Sequence, residues 1–100
     1  MVKREDRLLE VIAKKIGEDP IKRDILLELE NKEFAEMADI YREISLKHGI
    51  DYPRFFSRIR TLTNGGLIDK IKPGRSGIGN RVFLELTEKG RKVVELLKRS

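Results

Sequence analysis

Between Tyr52 and Ile68 the chain has no carboxylate, yet it carries Arg54, Ser57, Arg58, Arg60 and Thr61. A guanidinium group is a rigid fork of N–H donors that matches a phosphate, or the major-groove edge of guanine, through paired hydrogen bonds. Serine and threonine hydroxyls reach base edges and phosphate oxygens alike. A second set of donors follows between Lys72 and Arg81, where Lys72, Arg75 and Arg81 supply charge and Ser76 and Asn80 supply neutral polar groups. Gly74, Gly77 and Gly79 in the same stretch let main-chain N–H groups come close to a partner. Both sets are suited to holding an anion, with no bond made or broken.

Other chemistries lack the residues. His48 is the only histidine and cysteine is absent, so neither a two-histidine nor a thiolate metal site can form. A Ser-His-Asp set would rest on that one histidine, whose place beside Gly49 marks a helix end. Carboxylates are spaced three or four residues from lysines and arginines, as Glu10 is from Lys14, which is the pattern of solvated ion pairs. Gly74-x-x-Gly77-x-Gly79 is followed by no helix start that could hold a pyrophosphate, so it is not read as a nucleotide motif. The expectation is a protein that is not an enzyme and has no metal or cofactor.

The donors need elements to position them. Leu8, Val11, Ile12 and Ile16 predict a helix over 2–16, stopped by Gly17. Asp19-Pro20 starts a second, carrying Ile21, Ile25, Leu26 and Leu29 to about Asn31. A third is expected from Lys32 to Lys47, with Phe34, Met37, Ala38, Tyr41 and Ile44 on its inner face, ended by His48-Gly49. Asp51-Tyr52-Pro53 repeats the start signal for a fourth helix, over about 53–63. At about 100° per residue, Phe55, Ile59 and Leu62 fall on one side of it, and Arg54, Ser57, Arg58 and Thr61 on the other. Leu67–Lys72 and Arg81–Leu86 read as strands, the second alternating Val82, Leu84 and Leu86, so Lys72–Arg81 becomes the tip of a hairpin. Thr87 caps a last helix over 88–99, with Val93, Val94, Leu96 and Leu97 apolar. The fold class is mainly α with a small β-hairpin, an α+β domain in which the third and fourth helices form a helix-turn-helix.

One hundred residues suffice for one domain. No apolar run approaches the roughly 18 residues of a membrane span, and no signal peptide is present, so a cytoplasmic location is expected. An excess of Lys, Arg and Glu with no Gln leans toward a thermophilic source. The net charge of +5 divides unevenly: residues 1–50 hold 10 cations and 12 carboxylates, residues 51–100 hold 12 and 5. A basic half is the footprint of a polyanion partner, although cations also keep a surface soluble. Glu28, Glu30, Glu33, Glu36, Asp39 and Glu43 concentrate the negative charge. Helical phase predicts Glu36 and Glu43 on one side of the third helix, turned away from any anionic partner.

The run from Tyr52 to Leu97 resembles the winged helix-turn-helix fold of small transcriptional regulators. Ser57-Arg58-Ile59-Arg60-Thr61-Leu62 with Gly66-Leu67-Ile68 looks like the end of that family's recognition helix and its first wing strand. Leu86-Thr87-Glu88-Lys89-Gly90 looks like the second wing strand turning into the last helix, as in regulators of the multiple-antibiotic-resistance and phenolic-acid-response types. Tyr52-Pro53-Arg54-Phe55-Phe56 departs from the small polar residues usual at the start of that helix. The resemblance implies a winged helix-turn-helix core over 20–86, extended by an N-terminal helix over 1–17 and a C-terminal one over 87–100. It implies a partner in double-stranded DNA, with Arg54, Ser57, Arg58 and Thr61 in the major groove. Lys72, Arg75, Ser76, Asn80 and Arg81 would lie on the backbone or minor groove. A homodimer through the terminal helices is implied as well, and no effector is assigned. The alternative is a winged-helix module whose basic surface meets an acidic protein in a replication or transcription assembly.

Overall fold

The computed structural model describes residues 4–72 and 81–99. The described elements are α1 (Arg4–Gly17), α2 (Pro20–Lys32), β1 (Phe34–Glu36), α3 (Met37–His48), α4 (Tyr52–Asn64), β2 (Ile68–Ile71), β3 (Phe83–Leu86) and α5 (Glu88–Arg99). Among the described residues no helix is long and apolar enough to cross a membrane.

The start signals form as the residue types dictate. Asp19 Oδ1 accepts the N–H groups of Ile21 at 3.0 Å and Lys22 at 3.3 Å, satisfying donors that the first turn of α2 leaves without helical partners. Asp51 does the same for Arg54 at 3.1 Å, with Pro53 in the first turn of α4. Thr87 accepts the N–H of Gly90 at 2.9 Å and donates toward the carbonyls of Gly66 and Leu67, at 2.6 and 3.1 Å. One hydroxyl thus caps α5 and ties it to the entry of β2. Gly90 is buried against Leu67, and a Cβ there would lie far closer to the Leu67 carbonyl oxygen than van der Waals contact allows. The Leu-Thr-Glu-Lys-Gly run therefore encodes a close crossing of two backbones.

The third helix differs from expectation. α2 runs on to Lys32, Glu33 takes a positive φ of 60° with ψ −46° and its N–H on Leu29 O, and α3 starts only at Met37. Residues 34–36 form a strand that pairs with β3 through Phe34↔Glu85, Ala35↔Leu84 and Glu36↔Phe83. The hairpin predicted from sequence is present, with Ile68↔Leu86 and Ile71↔Phe83 in register, and β1 makes it a three-stranded antiparallel sheet of order β1-β3-β2.

The later start resets the inner face of α3. Ile40 and Ile44 are buried, Met37 and Tyr41 pack at the core's edge, and Ala38 and Phe34 are exposed. With Phe55, Ile59 and Leu62 of α4, Ile25, Leu26 and Leu29 of α2, Leu84 of β3, and Val93 and Val94 of α5, they make one core. Each such side chain contributes about 1.5–3 kcal/mol on burial. In α1 the inward residues are Leu9, Ala13 and Ile16, whereas Leu8 and Val11 remain 61% and 55% exposed. Among the described residues no polar or charged residue is buried.

Candidate nucleic-acid interface

α4 turns Phe55, Ile59 and Leu62 inward, as its phase requires, and leaves Arg54, Ser57, Arg60 and Thr61 exposed. Among the described residues the side chains of Arg54, Ser57 and Arg60 have neither hydrogen bond nor ion pair, so their donors are unoccupied. Thr61 Oγ1 donates to Ser57 O at 3.1 Å, which leaves its lone pairs outward. Pro53, Phe56, Ser57, Arg60, Thr61 and Asn64 line an open groove along this face.

Arg58 is placed differently. Its Nε donates to Asp19 Oδ2 at 3.2 Å and Oδ1 at 3.4 Å, and its Nη1 donates to Arg54 O at 3.1 Å. The side chain is only 27% exposed, and among the described residues Nη2 has no partner. Arg58 therefore joins α4 to the capped start of α2 and keeps one amino group for anything outside.

Two further residues stand at this face beside those that helical phase assigns to it. Lys70 on β2 holds its ammonium 5.1 Å from the centroid of the Phe56 ring, and Phe56 stacks on Tyr52 at 5.8 Å. This cation stands beside α4 because the ring attracts it. Strand alternation could have offered Lys70, but which helix it meets depends on tertiary packing. Arg60 sits on the margin of the predicted face, yet it is exposed there with Arg54 and Ser57.

Of the hairpin donors, Lys72 is exposed just beyond β2. Arg81 is exposed just before β3, and its Nε lies 3.8 Å from Glu36 Oε1. Arg75, Ser76 and Asn80 lie outside the described residues.

The acidic segment is largely neutralised. Glu28 and Glu43 both approach Lys32, at 3.7 and 4.0 Å, Asp39 pairs with Arg42, and Glu30 pairs with Lys98 of α5. Glu36 does not share a helical face with Glu43: it is the last residue of β1, ahead of α3, and its carboxylate meets Arg81. Glu10 and Lys14 form no ion pair, while Glu28–Lys32 and Glu95–Arg99 show the spacing that pair illustrated. His48 Nε2 lies 2.6 Å from Asp24 Oδ2, so the single histidine fastens the end of α3 to α2. Among the described residues no group of three His, Cys, Asp or Glu could hold a metal ion.

The succession α2, β1, α3, α4, β2, β3, with β3 central in the sheet, is a winged helix, to which α1 and α5 are added. The chain is similar to NadR, solved in complex with 4-hydroxyphenylacetate, with a TM-score of 0.71 and 22% identity over 96% of this chain and 67% of that one. It is also similar to TubR, a type III plasmid segregation protein, with a TM-score of 0.67 and 22% identity over 92% of this chain and 86% of that one. The likeness is one of fold. No family model and no curated protein matches the sequence.

Proposed function

We propose that this winged helix binds double-stranded DNA as a transcriptional regulator, with α4 in the major groove. The observation that carries the proposal is the outer face of α4: cations and hydroxyls, exposed, unoccupied at Arg54, Ser57 and Arg60, with no carboxylate from Tyr52 to Asn64. The N-terminal part of such a helix meets base edges, which assigns readout to Arg54 and Ser57, with Arg58 through Nη2 and Thr61 beside them. Lys70 and Lys72 stand where backbone phosphates flank the groove, and the connection from Lys72 to Arg81 acts as the wing. Such contacts set position and affinity more than sequence preference.

The functional unit in this reading is a homodimer through the terminal helices. Leu8 and Val11 leave apolar surface on α1 that its own core does not consume. Pairing there would set two copies of α4 one DNA turn apart, about 34–36 Å. The test is a selection of bound sites from random duplex DNA by the full chain. Enrichment of an inverted repeat with half-sites about one turn apart supports the proposal. Recovery of unenriched sequence, or of nothing, contradicts it.

A further inference from the structure

The sheet has a second face. Ala35, Ile68, Leu84 and Leu86 point into the core, and alternation turns Phe34, Glu36, Asp69, Ile71, Phe83 and Glu85 outward. Phe34 and Phe83 stack there, centroids 4.9 Å apart and planes 6° from parallel, and Phe34 is left 50% exposed. Carboxylates surround the pair. Glu36 has Arg81 beside it. Asp69 and Glu85 stand directly opposite one another across β2 and β3, and among the described residues neither has an ion pair or side-chain hydrogen bond.

This arrangement works against the isolated domain. Like charges directly opposite on a sheet are destabilising, and a stacked aromatic pair in water leaves apolar area uncovered. A cation placed between Asp69 and Glu85 removes the first penalty, and an apolar or guanidinium plane laid on Phe34 removes the second. Arginine does both, because its planar fork donates hydrogen bonds to carboxylates and stacks on aromatic rings. Nucleic acid is the wrong occupant, since its phosphates would meet carboxylates. Lys70, one residue along β2 from Asp69, reaches Phe56 of α4, so α4 lies on the opposite side of the sheet from this patch.

We infer that the outer face of the β1-β3-β2 sheet docks a partner protein through an arginine-bearing apolar segment, leaving α4 free. The partner's guanidinium sits between Asp69 and Glu85, and its apolar neighbour covers Phe34. The inference does not depend on what α4 binds.

The test is a titration of the 15N-labelled full chain with the blocked peptide acetyl-Gly-Leu-Arg-Leu-Arg-Gly-amide, followed by amide shifts. Saturable shifts confined to residues 34–36, 68–71 and 83–86 are expected, and none with the glutamate analogue of the peptide. In the D69N/E85Q variant the peptide should bind at least about fivefold more weakly, roughly 1 kcal/mol. The melting temperature of that variant should rise by about 1–5 °C once the like charges are gone. Shifts as large on α2 and α3, undiminished binding by D69N/E85Q, or no saturation at millimolar peptide would each overturn the inference. So would displacement of the bound peptide by duplex DNA. A sedimentation coefficient altered in D69N/E85Q would assign the face to a second copy instead, which overturns it too.

Discussion

Arg54 and Arg58 stand four residues apart on one helix, and their surroundings give them different work. Arg54 has no side-chain partner among the described residues, whereas Arg58 is held by Asp19 and by the Arg54 carbonyl. Replacing Arg54 with Ala should remove about 1–3 kcal/mol from binding to the preferred duplex and relax its sequence preference. Its thermal stability should be unchanged. Arg58→Ala should weaken binding as well, and should also destabilise the fold by about 0.5–1.5 kcal/mol because Asp19 loses its partner. Melting curves beside a duplex panel separate the two; an Arg58→Ala protein with unaltered stability contradicts the structural half of this assignment. Helical phase alone shows Arg58 on the outer face of α4. It cannot show Asp19, which lies 39 residues earlier and meets Arg58 only once α2 and α4 have packed. Gly90 is a simpler case of a residue fixed by a neighbour. Gly90→Ala forces a methyl group against the Leu67 carbonyl and should cost about 3 kcal/mol, at the upper end for overpacking, by denaturant unfolding.

Elements differ in how much of themselves they announce. α2, α4 and α5 are legible because their caps are local: an Asp or Thr side chain meets N–H groups two or three residues on. The strands of the hairpin are legible from alternation and glycine punctuation. β1 is not, because Phe34–Glu36 becomes a strand only by pairing with residues 83–85, and its apolar spacing also fits a helix. That reading in turn misassigns Ala38 and Phe34 to the core and overlooks Ile40. In α1 the helix is recognised but not which of its apolar residues face inward. Of Leu8, Val11, Ile12 and Ile16, only Ile16 is buried; contact with α5 buries Leu9 and Ala13, which the periodicity reading passed over, and leaves Leu8 and Val11 outside. This yields a paired prediction. Leu8→Glu with Val11→Glu should leave stability within about 0.5 kcal/mol, as exposed substitutions do, yet convert the proposed dimer to a monomer in sedimentation. Leu9→Glu should unfold the domain, since it buries an unpaired charge. A double variant that sediments as the wild type does would remove the dimer from the account.

At the scale of the molecule, charge is sorted by surface. The exposed face of α4 with Lys70 and Lys72 is cationic, while the outer sheet face holds Asp69, Glu85 and Glu36. Elsewhere several cations are paired with carboxylates, Lys32 with Glu28 and Glu43, Lys98 with Glu30, and Arg42 with Asp39. Exposed pairs of this kind contribute little to stability, typically 0–1 kcal/mol, so their effect lies in the field they leave. No carboxylate lies between Tyr52 and Asn64, so the positive charge on the outer face of α4 is locally uncompensated, and in the proposed reading it would orient the domain toward a polyanion before contact. Glu36→Gln tests this at one point. It frees Arg81 and should raise affinity for every duplex severalfold without altering the selected sequence, measured by fluorescence anisotropy.

The central claim is that α4 carries the contact with DNA, and the salt dependence of binding tests it most directly. Affinity of the full chain for its selected duplex should fall linearly with salt on logarithmic axes, with a slope steeper than about −3, as expected when several phosphates are neutralised. In the Arg54→Ala/Arg60→Ala variant, folded by circular dichroism, that slope should flatten by about 1–2 and the preference for the selected sequence should collapse. A slope near zero for the wild type, or a variant that binds the same duplex as tightly and as selectively, would contradict the account.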